Sequence, residues 1–180
     1  TYILPVGAPP AALVQLMVET FLDRFTPEMR AAAAAKGLTL HEAVTLASIV
    51  EREAVLPQER PLIAGVFLNR IEAGDIIGAD PTTQFVAALD PASVAQFGWW
   101  KRELTQEELD NPSPYNTREV AGIPPGPITN PGEASLAAVA NAEDTEYYYF
   151  VADAKANDGS HRFAVTAAEH DQNIALYGSP

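Results

Sequence analysis

The 180-residue sequence contains no cysteine. Disulfides, thiolate metal sites and a cysteine nucleophile are therefore excluded, although the compartment is not fixed by that absence. Basic residues are scarce, 11 Lys and Arg against 24 Asp and Glu, for a net charge of −13. A chain so acidic, with no Lys/Arg run, is not built to bind nucleic acid or an anionic membrane through a broad basic face. No apolar stretch approaches the ~20 residues of a membrane span. "TYILPVGAPP" at the start lacks the basic beginning and apolar middle of a signal peptide. The first residue is Thr1 rather than Met, so the chain is read as a fragment of a longer protein. What is present is ordinary globular material. Apolar residues make up 47%, enough for the core of one domain covering 1–180.

Helical signals dominate. "AALVQLMVETFLDRF" carries Leu13, Leu16, Met17 and Phe21 at helical spacing. Thr26 and Pro27 open a second helix that Gly37 ends. "TLHE" is a capping box, Thr39 with Glu42, and starts the helix that Pro57 closes. "QERPLIAGVFLNRIEAG" gives another helix. Asp80 and Asn130 are expected to cap the helices that follow them, and "TQEE" at 105–108 opens a short one. Pro112 to Pro131 is proline-rich and reads as a stiff, ordered loop, in which Gly126 implies a positive φ or a close approach. "YYYFVAD" and "HRFAV", joined by "AKANDGS", form a hairpin over 147–165, and a last capped helix follows. The fold class is α+β, mostly helical with one small late antiparallel sheet.

The segment "ASIVEREA" places two glutamates at the end of a largely apolar helix. At ~100° per residue, Val44, Ala47, Ser48 and Val55 fall within about 60° of Glu51, whereas Glu42 and Glu53 fall opposite. On this wheel Glu51 lies on the apolar stripe and Glu53 faces solvent. A desolvated carboxyl has a raised pKa and suits a general acid. The alternative is that Glu51 pairs with an arginine of the next helix, Arg70. Periodicity leaves both readings open. In "SPYNT", Tyr115, Asn116 and Thr117 offer polar groups either to a ligand or to the loop's own backbone. His161, Glu169 and His170 match no zinc spacing, and no nucleophile elbow, P-loop or dinucleotide motif is present, so no metal or cofactor is expected.

Taken in order, "LASIVEREA", "GVFLNRI", "DPTTQF", "SPYNT", "GIPPGPITNPGEASLAA", "YYYFVAD", "HRFAVT" and "EH" resemble the endolytic murein transglycosylases, the YceG-like family, over nearly the whole chain. The resemblance implies internal cleavage of peptidoglycan glycan strands at the β-1,4 bond from N-acetylmuramic acid to N-acetylglucosamine. It implies a 1,6-anhydro product and Glu51 as the acid/base, with Asn69, Asp80, Tyr115, Asn116 and Thr117 as substrate-binding residues. His161 and His170 would instead hold the hairpin against the last helix. It further implies an extracytoplasmic protein anchored through an N-terminal membrane helix absent here, with cell-wall synthases (penicillin-binding proteins) as partners. A muramidase acting on the same bond and a non-catalytic glycan-binding or scaffold module are the competing readings. Gly78-Ala79 departs from the Gln-Ser/Thr usual before "DPT", and "EHD" stands where "EHN" is usual. A pyridoxal phosphate lyase, a chemistry also attached to this family, would need a buried Schiff-base lysine, and Lys36, Lys101 and Lys155 all lie in polar or terminal contexts.

Overall fold

The computed structural model describes residues 2–178. In chain order the helices are α1 (Pro10–Arg24), α2 (Pro27–Ala35), α3 (Leu40–Glu53), α4 (Arg60–Glu72), α5 (Asp80–Ala87), α6 (Pro91–Phe97), α7 (Gln106–Leu109), α8 (Glu133–Ala140) and α9 (Ala167–Tyr177). A 3-10 turn, Pro57–Glu59, joins α3 to α4, and the strands β1 (Tyr149–Ala152) and β2 (His161–Ala164) precede α9. The two strands pair antiparallel, with Tyr149 opposite Ala164 and Ala152 opposite His161. This is the expected α+β arrangement with a late hairpin.

Helix α3 is the centre. Its capping box forms as expected, with Thr39 Oγ1 accepting from Glu42 N while the Glu42 carboxylate accepts from Thr39 N. From Thr45 to Val50 every residue is buried. A helix apolar on all sides must be covered on all sides. Helices α4 and α8 pack on α3 and on each other, and α2 leans on α8. Leu46, Ile49, Ile63, Val66, Phe67 and Val139 fill the space between them. Gly65 of α4 lies where the chain before β1 crosses closely: a Cβ there would overlap the Glu143 carbonyl oxygen and sit 3.0 Å from the Thr145 methyl. Helix propensity alone favours Gly65→Ala by about 1 kcal/mol. The clash should reverse that sign and cost roughly 1–3 kcal/mol, seen as a Tm lowered by about 2–10 °C in thermal denaturation.

Some local expectations change. Helix α6 was not anticipated, although Asp90 caps it through Ala92 N at 2.9 Å and Pro91 occupies its first turn. Asp80 does not cap α5; the cap position is Ala79, and Asp80 turns outward to Arg118 Nη1 at 2.6 Å. Asn130 does not cap α8 either, since the cap residue is Gly132. Of the α1 stripe, Leu13 and Met17 remain exposed, and that helix buries no residue fully. Gly126 makes the anticipated close approach, with a Cβ position 3.2 Å from Tyr115 Oη.

Candidate active site

The last turn of α3 sends its two glutamates in different directions. Glu51 points to the start of α8, where its Oε2 accepts from Gly132 N at 3.1 Å and Ser135 Oγ at 2.6 Å. It supplies from a neighbouring helix the anion that the α8 N-terminus lacks in its own cap. Arg70 is not its partner. Arg70 lies on the other side of α3, with Nε donating to Tyr148 O at 2.6 Å and Nη1 to Ile77 O at 2.5 Å.

Glu53 is the residue that the helical wheel misplaced. The side assigned to solvent is covered by the hairpin and by the segment leading into α5, so Glu53 is half-buried and lines a cleft of about 300 Å³. Arg70, Asp80, Arg118, His161 and His170 line it as well. Burial pushes the Glu53 carboxyl up to about 8, and the nearby charge of Asp80 adds to the rise. Arg70, Arg118 and Arg52 offset part of it. The wheel failed because it assumes one wet face, and the eight residues "AVTLASIV" before Glu51 contain no charge at all. That uncharged run was the signal that α3 is covered on every side from Thr45 to Val50.

The cleft continues into a second chamber of about 440 Å³ that shares Arg70, Gly78, Arg118 and His170 with the first and extends to Gln106 and Leu109 of α7. Gly78 adopts φ +68°, and a Cβ there would come within 3.1 Å of Arg70 Nη1. The Gly-Ala departure thus sits on the wall of the cleft. His170 stacks on Tyr149, ring centroids 5.2 Å apart, and fastens α9 to β1. Burial first, and Arg70 second, lower its proton affinity and favour a neutral imidazole. His161 does not meet α9 in this way. Its Nδ1 lies 2.7 Å from Glu59 Oε2 and its backbone N–H donates to Glu59 Oε1 at 3.1 Å, which ties the hairpin to the 3-10 turn.

The remaining residues expected in the site are dispersed. Asp80 lies in the cleft with Glu53. Asn69 donates to Thr145 O at 2.7 Å and Tyr147 O at 2.9 Å, and lines a separate cavity of about 620 Å³ between α4 and the end of α2. Asn116 is fully buried; its Nδ2 donates to Leu109 O and Asn111 O, and its Oδ1 accepts from Thr83 Oγ1 and Arg118 N. Thr117 is also buried, with its Oγ1 2.9 Å from Thr82 Oγ1 and accepting from Ala79 N at 3.1 Å. Tyr115 packs its ring 5.0 Å from that of Phe85. "SPYNT" therefore clamps α5 and α7 and sets Arg118 opposite Asp80, where it shapes the cleft from behind. Among the described residues, no group of three or more His, Asp and Glu side chains is placed to hold a metal ion, and no helix is long and apolar enough to cross a membrane.

Comparison with known proteins gives a consistent result. The chain is 32% identical over 158 residues to the endolytic murein transglycosylase of Bacillus subtilis (strain 168), covering 88% of this chain and 39% of that protein. It is 32% identical over 140 residues to the protein of the same name from Streptococcus pneumoniae (strain D39), covering 78% of this chain and 24% of the relative. The chain thus spans well under half the length of either. A crystal structure of a YceG-like protein from Listeria monocytogenes superposes with a TM-score of 0.79 at 30% identity, over 96% of this chain and 52% of that one. The model of the YceG-like family matches residues 1–176. Fold and sequence agree: the chain belongs to the YceG-like family.

Proposed function

We propose that this chain is the catalytic part of an endolytic murein transglycosylase and that Glu53, rather than Glu51, is its acid/base. The observation that carries the reading is a desolvated carboxyl, with its pKa pushed up to about 8, in a cleft flanked by Asp80, Arg70 and Arg118. The two named transglycosylase relatives support the reaction class. At neutral pH such a carboxyl holds its proton and can donate it to a glycosidic oxygen. As the C1–O bond breaks, the departing sugar takes that proton and Glu53 is left ionised between two guanidinium groups. The C6 hydroxyl of the same muramic acid then attacks C1, and its proton passes to Glu53, restoring the acid. Because the attack is intramolecular, one carboxyl serves both steps. Asp80 faces the same cleft and is suited to stabilise the positive charge that develops at C1. The bond cleaved is the β-1,4 link from N-acetylmuramic acid to N-acetylglucosamine, leaving a 1,6-anhydro end. On this reading the full-length protein acts on nascent strands outside the cytoplasmic membrane, held by a membrane anchor and beside cell-wall synthases.

A muramidase is the second reading, and Asp80 favours it. A hydrolase uses two carboxyl groups, one acid and one base for water, and Asp80 is a second carboxylate lining the Glu53 cleft. Digestion of purified peptidoglycan with product mass spectrometry separates the two. Anhydro-muropeptides support the transglycosylase, reducing ends support the muramidase, and no cleavage sinks both.

The raised pKa carries a pH signature. A Glu whose folded value exceeds its unfolded one keeps its proton in the native state while the unfolded chain loses it, so native stability declines as pH rises from about 4.5 to about 8. Replacing Glu53 by neutral Gln removes that loss. The stability advantage of Glu53→Gln over the parent should be near zero at pH 4 and grow through pH 8, to the order of 2–4 kcal/mol, read as a widening difference in Tm. The parent's cleavage rate should fall on the alkaline side as the acid form is lost. A flat difference in Tm across that range would remove the desolvated acid.

A further inference from the structure

The loop between α6 and α7 carries a cavity that the catalytic reading leaves unused. It has a volume of about 510 Å³ and is lined by Phe97, Lys101, Arg102, Glu103, Leu104 and Thr105. Thr105 lines this cavity, and the next residue, Gln106, lines the second chamber of the Glu53 cleft. The loop is also fastened beside the acid: the Arg52 guanidinium lies 4.0 Å from the centre of the Trp100 ring, and Arg52 immediately precedes Glu53. Trp100 is half-buried against the core and acts as the anchor. Its neighbour Trp99 is 53% exposed and Phe97 48% exposed. Phe97, at the end of α6, and Trp99, at the start of the loop, thus present two large rings to water close together in sequence.

The charges are equally uneven. Lys101 is occupied, its Nζ 2.8 Å from both Glu108 oxygens and 4.6 Å from the centre of the Phe97 ring. Arg102 has no ion-pair partner among the described residues. In a chain of net charge −13, an unpaired guanidinium beside exposed aromatic rings marks a place for a ligand that is part apolar face and part anion.

We propose that this loop is an outer saccharide subsite of the same cleft: a sugar ring stacks on Trp99 against the Phe97 wall, and Arg102 pairs with the carboxylate that N-acetylmuramic acid bears on its lactyl arm or its stem peptide. The proposal rests on the glycan reading of the Glu53 cleft and extends it along the strand. The occupant follows from continuity. A polymer threaded past Glu53 and α7 arrives next at Thr105 and the cavity behind it, and of the two sugars in the repeat only the muramic acid offers a group for Arg102. A strand held several residues away from the cut is also the requirement of an enzyme that cuts internally rather than from an end.

Both tryptophans of the chain lie in this loop, so intrinsic tryptophan fluorescence reports on it alone. The Glu53→Gln protein, in which turnover is blocked, would be titrated with two probes: muropeptide-bearing glycan oligomers and N-acetylglucosamine oligomers that lack any carboxylate. Both should shift the emission. Trp99→Ala should weaken both about tenfold, and Trp99→Phe should restore much of the affinity. Arg102→Gln should weaken the muropeptide probe alone, by about the same factor, with unchanged Tm. Glycan binding by the Glu53→Gln protein with affinities that neither added loop variant alters, read by calorimetry, would overturn the subsite while leaving the catalytic reading intact. Failure of the Glu53→Gln protein to bind either probe would overturn both.

Discussion

Glu53→Gln should lower the rate of peptidoglycan cleavage by about 10³-fold, the contribution of a well-placed general acid, while Glu51→Gln should leave it within a fewfold of the parent. The two positions are two residues apart on one helix, so the contrast is a sharp one. Gln at 53 keeps the size and hydrogen-bonding shape of the side chain in the cleft but has no proton to give. Gln at 51 still presents an oxygen to Gly132 N and Ser135 Oγ and loses only the negative charge at the α8 N-terminus, worth about 0.3–1 kcal/mol. Its signature should be a Tm lowered by about 1–4 °C with near-normal turnover. The opposite pairing, Glu53→Gln active and Glu51→Gln dead with an unchanged Tm, would return the acid to Glu51. Measuring both variants on the same peptidoglycan, with products separated by chromatography, decides the matter.

Much of the frame was legible because it is written locally. The capping boxes at Thr39 and Thr105 formed as read, and the last helix is capped as expected, by a box of Thr166 with Glu169, since a cap needs only its own turn. The hairpin was legible for the same reason: Asp153 accepts from Lys155 N and Ala156 N within the loop and from Arg162 of the returning strand. Helix α6 was missed although Asp90-Pro91 carries the same Asp-Pro start signal read at Asp80-Pro81. At Asp80 the signal misled, because an arginine from a distant loop outcompetes the helix's own N–H groups for that carboxylate. The site was harder to read. Which way Glu51 and Glu53 turn depends on what covers α3, and that cover comes from α8, the hairpin and the loop before α5, all distant in sequence. An isolated wheel contains none of that. The family resemblance points to this short segment, and the packing around α3 gives its two carboxyls different surroundings.

Asn116 puts the same distinction to a thermodynamic test. If it touches substrate, Asn116→Ala should cost activity and leave stability unchanged. Its surroundings argue for the reverse. The carboxamide makes four hydrogen bonds with nothing left over, to Leu109 O, Asn111 O, Thr83 Oγ1 and Arg118 N, at 2.8–3.2 Å. Truncation leaves two carbonyls, a hydroxyl and an N–H without this partner in a site closed to solvent, each costing about 1–3 kcal/mol when unsatisfied. Partial relaxation reduces the total, and a loss of roughly 3 kcal/mol or more is expected, a Tm lower by about 6–12 °C. Asn116→Asp should be as damaging, because it removes both donors and sets a carboxylate against the two carbonyl oxygens. Activity should fall as well, through a different route: Arg118 loses its backbone anchor, the ion pair with Asp80 loosens, and the Coulombic setting of Glu53 changes with it. The alkaline limb of the cleavage rate should then move relative to the parent, as a pure binding contact would not make it do. A normal Tm with a raised KM and an unmoved pH profile would instead make Asn116 a ligand contact and require that the loop open to expose it.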